Sequence, residues 1–170
     1  MPYEWKIAIK SQLGAAIMTL ENALHACPEE LWRGKMWQEP ADFQGCSEFW
    51  YVAYHALFYL DYYLTLDNQD FMPPAPFTLS EFDPAGLLPD RVYSREELFA
   101  YLSYCRQKHL TVMGNLTDEQ ADRVMNFPWG TLSFGELLLD NMRHVQEHAA
   151  QLNMFLGQHI DLQSRWVAKT

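Results

Sequence analysis

The amino-acid sequence predicts an all-α protein, a four-helix bundle with a long connection between its second and third helices. Three observations carry this expectation. Four segments place apolar residues at helical spacing. Two of them open on capping-box residues, Ser94…Glu97 and Ser133…Glu136. The stretch 67–93 holds Pro73, Pro74, Pro76, Pro84 and Pro89 and is far longer than an antiparallel helix pair needs.

The first helix is expected over residues 3–26, with Pro2 suiting its first turn and Cys27-Pro28 ending it. Ile9, Leu13, Ala16, Ile17, Leu20 and Leu24 make its apolar stripe. The second helix, 47–66, starts at a Ser47 N-cap after Gly45 and is apolar nearly all round, as a helix buried on most sides should be. The third, 94–115, stops at Gly114-Asn115, and the fourth, 133–158, stops at Gly157. A short extra helix near 118–125 follows Thr117-Asp-Glu-Gln120, and residues 160–170 read as a loose tail. A helix of about 20 residues is ~30 Å long, and roughly ten extended residues span that distance. The 67–93 connection can therefore run back along the bundle and let the second and third helices lie parallel.

The chain of 170 residues suits one domain, 1–170, and its hydrophobic fraction of 49% argues against disorder. Twelve basic and 22 acidic residues give a formal charge of −10. Such a surface repels duplexes and anionic bilayers, so neither nucleic acid nor a membrane surface is expected as a partner. Cys27, Cys46 and Cys105 are odd in number and form no Cys-x-x-Cys pair, which disfavours disulfide frameworks and zinc fingers and makes a reducing cytoplasm the default. The opening MPYEWKIAIK has no signal-peptide character, and the uncharged run 49–60 is too short to span a bilayer.

The chemistry concentrates in RHVQEHAAQL, 143–152. On a helical wheel with His144 at zero, His148 falls at about 40° and Asn141 at about 60°, by the 100° step. The apolar residues of this helix fill roughly 20° to 140° by the same step, so His148 and Asn141 lie in the core-facing arc and His144 lies at its edge. Glu136, Asp140, Arg143 and Glu147 take the solvated side. Buried imidazoles need partners, and these could find them either in core hydrogen bonds or in a metal ion with a third ligand. His55, mid-way along the most apolar helix, is the best third candidate. A neutral triad with open positions suits zinc, nickel or iron(II).

Other motif readings fare worse. His144-Val-Gln-Glu147-His148 matches the H-x-x-E-H pattern of inverted zinc peptidases, but no Glu follows Glu147 to complete that ligand set. Di-iron bundles need Glu-x-x-His, whereas Asn141, Val145 and Val52 stand three before the histidines. No base is evident beside any cysteine. His25, His109 and His159 suit surface or helix-end roles, with His109 as the reserve ligand. Tyr51, Tyr59 and Glu48 share the His55 face; the tyrosines could hydrogen-bond a metal-bound water or simply pack, and Glu48 could support the site or only complement the helix dipole.

The His55 position, the order of four helices with a long second connection, and the closing segment FPWGTLSFGELLLDNMRHVQEHAAQLNMFLG (127–157) together resemble the DinB-like (DinB/YfiT) superfamily of metal-dependent enzymes. The C-terminal segment, with its Trp-Gly-Thr entry and His-x-x-x-His helix, is the most specific part of the match. The resemblance implies an up-down-down-up bundle holding one divalent metal, nickel or zinc most often, on three histidines that match His55, His144 and His148. It implies hydrolase or thiol-dependent transferase chemistry on a small-molecule substrate, with a low-molecular-weight thiol as a co-substrate in some relatives, and homodimers in others. It also leaves Asn141, one turn before the pair, as an outer-shell candidate. The competing expectation is a non-catalytic bundle that binds a small molecule or protein, in which the three histidines lie apart or bond to other side chains.

Overall fold

A computed structural model describes residues 4–41, 44–161 and 165–170. It is mostly helical. The long helices are α1 (Trp5–Ala26), α2 (Phe49–Tyr63), α3 (Arg95–Asn115) and α5 (Phe134–Ile160). Between the last two come a short α4 (Asp118–Asp122) and two strands, β1 (Val124–Phe127) and β2 (Gly130–Ser133). Helix α1 packs on α5 and α3, and α2 packs on the same two helices, so a continuous core fills the space among all four. No helix among the described residues is long and apolar enough to cross a membrane.

The caps of α3 and α4 form as expected. Ser94 accepts from the Glu97 amide while the Glu97 carboxylate accepts from the Ser94 amide, and Thr117 and Gln120 do the same. Ser133 caps α5 through the Glu136 amide. The start of α2 differs from expectation. Ser47 does not cap it; Glu48 occupies the N-cap without a side-chain bond. The first amides are satisfied instead by distant backbone, Phe49 N to Gly34 O and Trp50 N to Trp32 O, each at 3.0 Å. A single 3₁₀ turn at Glu29–Leu31 brings those carbonyls into place. This answers the helix's need for acceptors without a capping side chain.

Three other boundaries are corrected. Helix α2 ends at Tyr63 rather than at 66. Helix α5 runs through Gly157 and ends where Asp161 turns left-handed, φ 51°. The short helix α4 ends at Asp122 rather than near 125, and 124–133 forms a hairpin: Met125 and Leu132 face each other and bury their side chains, while Phe127 pairs with Gly130 across a two-residue turn. The expected role of Pro2 lies outside the described residues. The tail is not loose throughout, since Gln12 Nε2 donates to Ala168 O and Thr170 Oγ1 donates to Ser11 O, tying 165–170 to α1.

Eleven of the 15 residues of α2 are buried. The four that are only half-buried, Tyr51, His55, Tyr59 and Tyr62, recur every three or four positions and form one stripe. That stripe meets the polar edge of α5 on one side and the 67–93 crossover on the other. Tyr54 anchors the crossover through Thr78 O and Ser80 Oγ, and Phe58 packs on Phe71 and Phe82.

Candidate metal centre

The α2 stripe and the α5 edge bring the three expected histidines together. His144 Nε2 lies 3.3 Å from His55 Nε2 and 3.1 Å from His148 Nε2. The three ligand atoms all fall within 4.8 Å of one another. Two nitrogens each 2.0–2.1 Å from one ion, at angles of 90–110°, stand about 2.8–3.4 Å apart. The observed spacing is therefore that of neighbouring ligands on a common cation. It is not the arrangement in which the histidines lie apart.

The far side of two rings decides what their near side can do. His55 Nδ1 donates to Glu81 Oε2 at 2.7 Å, and His148 Nδ1 donates to Gln151 Oε1 at 2.8 Å. With those protons on Nδ1, the Nε2 atoms of both rings present lone pairs to the same point. A proton on His144 Nε2 could satisfy only one of them, whereas a cation satisfies all three. His144 Nδ1 is buried with no hydrogen-bond partner. Burial pushes the His144 imidazole down to about 3, with His148 and His55 adding to the shift, and burial likewise lowers His148. Both rings are thus held neutral, the form that ligates metal.

The neighbouring candidates have other roles. Glu48 takes a bidentate bond from Arg33 and a 2.7 Å bond from Trp50 Nε1, so it locks the start of α2 and does not support the histidines. Asn141 Nδ2 donates to Leu60 O at 3.2 Å, joining α5 to α2 rather than reaching a ring. Tyr59 packs on His55 and His144 while its hydroxyl donates to Glu81 O. Tyr51 packs on His55, and burial, with the Glu81 carboxylate next, keeps its phenol protonated. His109, the reserve ligand, is buried on α3 away from the triad; burial and the Lys10 charge lower it to about 4. His25 stacks on Phe99, and His159 Nδ1 donates to Phe155 O. Cys27 and Cys105 are buried, and burial raises Cys27 to about 12 and Cys105 well up, which leaves unreactive thiols.

Glu81 and Gln151 were not foreseen. Gln151 sits three residues after His148 on the same helical edge, so the wheel holds a usable signal for it. Glu81 gives none: it sits in one 3₁₀ turn, Ser80–Phe82, amid prolines with no periodicity.

These features define a helical protein with a three-histidine cluster suited to a divalent metal. The family model of the DinB superfamily matches residues 12–152, and the chain belongs to that superfamily. Neither a curated protein nor a solved structure matched the chain.

Proposed function

We propose that the protein is a metal-dependent enzyme in which His55, His144 and His148 hold one divalent cation, zinc or nickel, with iron(II) also compatible. The observation that supports this most is the convergence of Nε2 lone pairs at metal-ligand spacing, with Glu81 and Gln151 holding the opposite nitrogens of two rings. Three neutral ligands leave positions open for substrate. The bound ion would act as a Lewis acid, lowering the pKa of a coordinated water or thiol.

The chain's own residues supply positioning. His55 comes from the middle of α2 and His144 and His148 from successive turns of α5, so the site bridges two helices of the core. The crossover closes one side through Glu81 and Phe82. In this reading a single domain, 1–170, follows the up-down-down-up course of the superfamily. It works in the cytoplasm on a small-molecule substrate, in hydrolase or thiol-transferase-like chemistry with a low-molecular-weight thiol as a candidate co-substrate. Homodimerisation through helices would accompany it.

The test is elemental analysis of protein purified without an affinity tag, beside a His148→Ala variant. The proposal expects close to one equivalent of zinc or nickel in the wild type and a clear loss in the variant. Negligible metal in both, even after incubation with either ion, would overturn it.

A further inference from the structure

Among the described residues, four carboxylates in ion pairs have side chains less than a tenth exposed: Glu39, Glu48, Asp61 and Glu81. Three of them face a permanent cation: Lys35 for Glu39, Arg33 for Glu48 and Lys108 for Asp61. Glu81 differs. Among the described residues its only ion-pair partner is His55, and its second oxygen, Oε1, is buried with no hydrogen-bond partner. A carboxylate taken out of water needs a compensating positive charge, and neither the single His55 bond nor the neighbouring Tyr51 phenol is a permanent one. The other nitrogen of that ring faces His144 and His148, where the ion of the proposed centre belongs.

We propose that Glu81 is a positioning residue of this centre: its carboxylate, delivered by the crossover, orients His55 and is in turn held buried by the cation on the far side of the ring. The inference rests on the metal reading above. It has a consequence that a merely structural carboxylate would not have. Removing the charge acts in opposite directions on the two states. With the ion bound, loss of Glu81 weakens metal binding, because the ring loses its anchor and some of its basicity. With the ion absent, Glu81 keeps only its bond from His55 Nδ1, which a glutamine amide oxygen can also accept, so neutralising it does not weaken the fold.

The experiment is titration of the chelator-treated protein with Co²⁺ and Zn²⁺ against a chromophoric chelator, for wild type, Glu81→Ala and Glu81→Gln. The visible Co²⁺ spectrum and melting in excess EDTA are recorded for each. Glu81→Ala should lose about 10–100-fold in affinity, the typical effect of removing an outer-shell partner, with an altered Co²⁺ spectrum. Glu81→Gln should recover part of the loss, since its amide oxygen can still accept from Nδ1. In EDTA the Glu81→Gln melting temperature should equal or exceed that of the wild type. Affinities within twofold of wild type with an unchanged spectrum would overturn the assignment. So would a Glu81→Gln variant that melts markedly lower in EDTA. A wild type that takes up neither ion would instead sink the metal reading itself.

Discussion

Replacing Asp61 by asparagine should cost about 3 kcal/mol of stability, and the reason lies in the joint between α2 and α3. The Asp61 side chain is fully buried and accepts from Lys108 Nζ and from the Tyr101 hydroxyl, the latter at 3.0 Å. Lys108 also donates to Asp61 O at 2.9 Å and to Thr65 Oγ1 at 2.6 Å, and its side chain is only 19% exposed. The asparagine keeps an acceptor for Tyr101 but leaves the ammonium with neutral partners alone. Breaking a buried pair costs about 3–5 kcal/mol, and the partial exposure of Lys108 sets the lower end. At about 2–4 °C per kcal/mol for a chain of this size, melting should fall by roughly 6–12 °C. Lys108→Met has a further signature. Burial already raises the Asp61 carboxyl above its ordinary value, against the pull of Lys108 and Tyr101. Without Lys108 it rises further. A folded-state pKa above the unfolded one adds stability at low pH that is lost as pH climbs through the raised value, so this variant should be weaker at pH 7 than at pH 5. The double variant Asp61→Asn/Lys108→Met should be less damaged than the sum of the singles by about 2 kcal/mol. Urea unfolding of all four proteins gives the cycle. Additivity within about 0.5 kcal/mol, with each single under about 1 kcal/mol, would refute the reasoning.

Two further outcomes follow from buried contacts. Burial, with the Lys10 charge next, lowers the His109 imidazole from its ordinary 6.5 to about 4, so in chelator the unfolded chain takes up a proton that the folded chain refuses. Stability falls as pH drops through that window, by at most about 3 kcal/mol from this residue, and His109→Leu should flatten the slope by that amount in urea unfolding at pH 7 and 4.5. An unchanged slope would exclude His109 as its source. At Gly14, an added Cβ would run into Thr170 Oγ1. Gly14→Ala should therefore turn the Thr170 side chain out of its bond to Ser11 O, loosening that end of the 165–170 strap and modestly speeding tryptic cleavage after Arg165, although alanine alone favours a helix by about 1 kcal/mol. Cleavage at the wild-type rate would show that the strap does not depend on that contact.

How much of this was legible depended on periodicity. His144 and His148 stood out because a 3.6-residue repeat fixes which face each residue takes, and His55 because it interrupts a run of apolar neighbours. The ends of helices were less readable where long-range backbone replaced local chemistry. Ser47 carries a good capping side chain, yet Gly34 O and Trp32 O took over its task. Gly157 promised a stop, yet α5 runs on to Ile160, with His159 packed on Phe155 and bonded to its carbonyl. The hairpin was missed because its strands are four residues each, too short to show alternation before the Pro128-Trp129 turn. Glu81 was invisible for a deeper reason: its partner lies 26 positions away and the crossover has no repeat from which a facing direction could be inferred.

The Asn141 amide gains a different significance beside the three rings. It donates to Leu60 O, between one turn of α5 ahead of His144 and one turn of α2 beyond His55. Apolar faces alone tolerate sliding, because one leucine contact resembles the next. A slip of one residue would shift His144 about 1.5 Å along its axis and swing it 100° around. This directional bond across a largely apolar seam thus works as a detent, setting the axial alignment on which the meeting of the imidazoles depends.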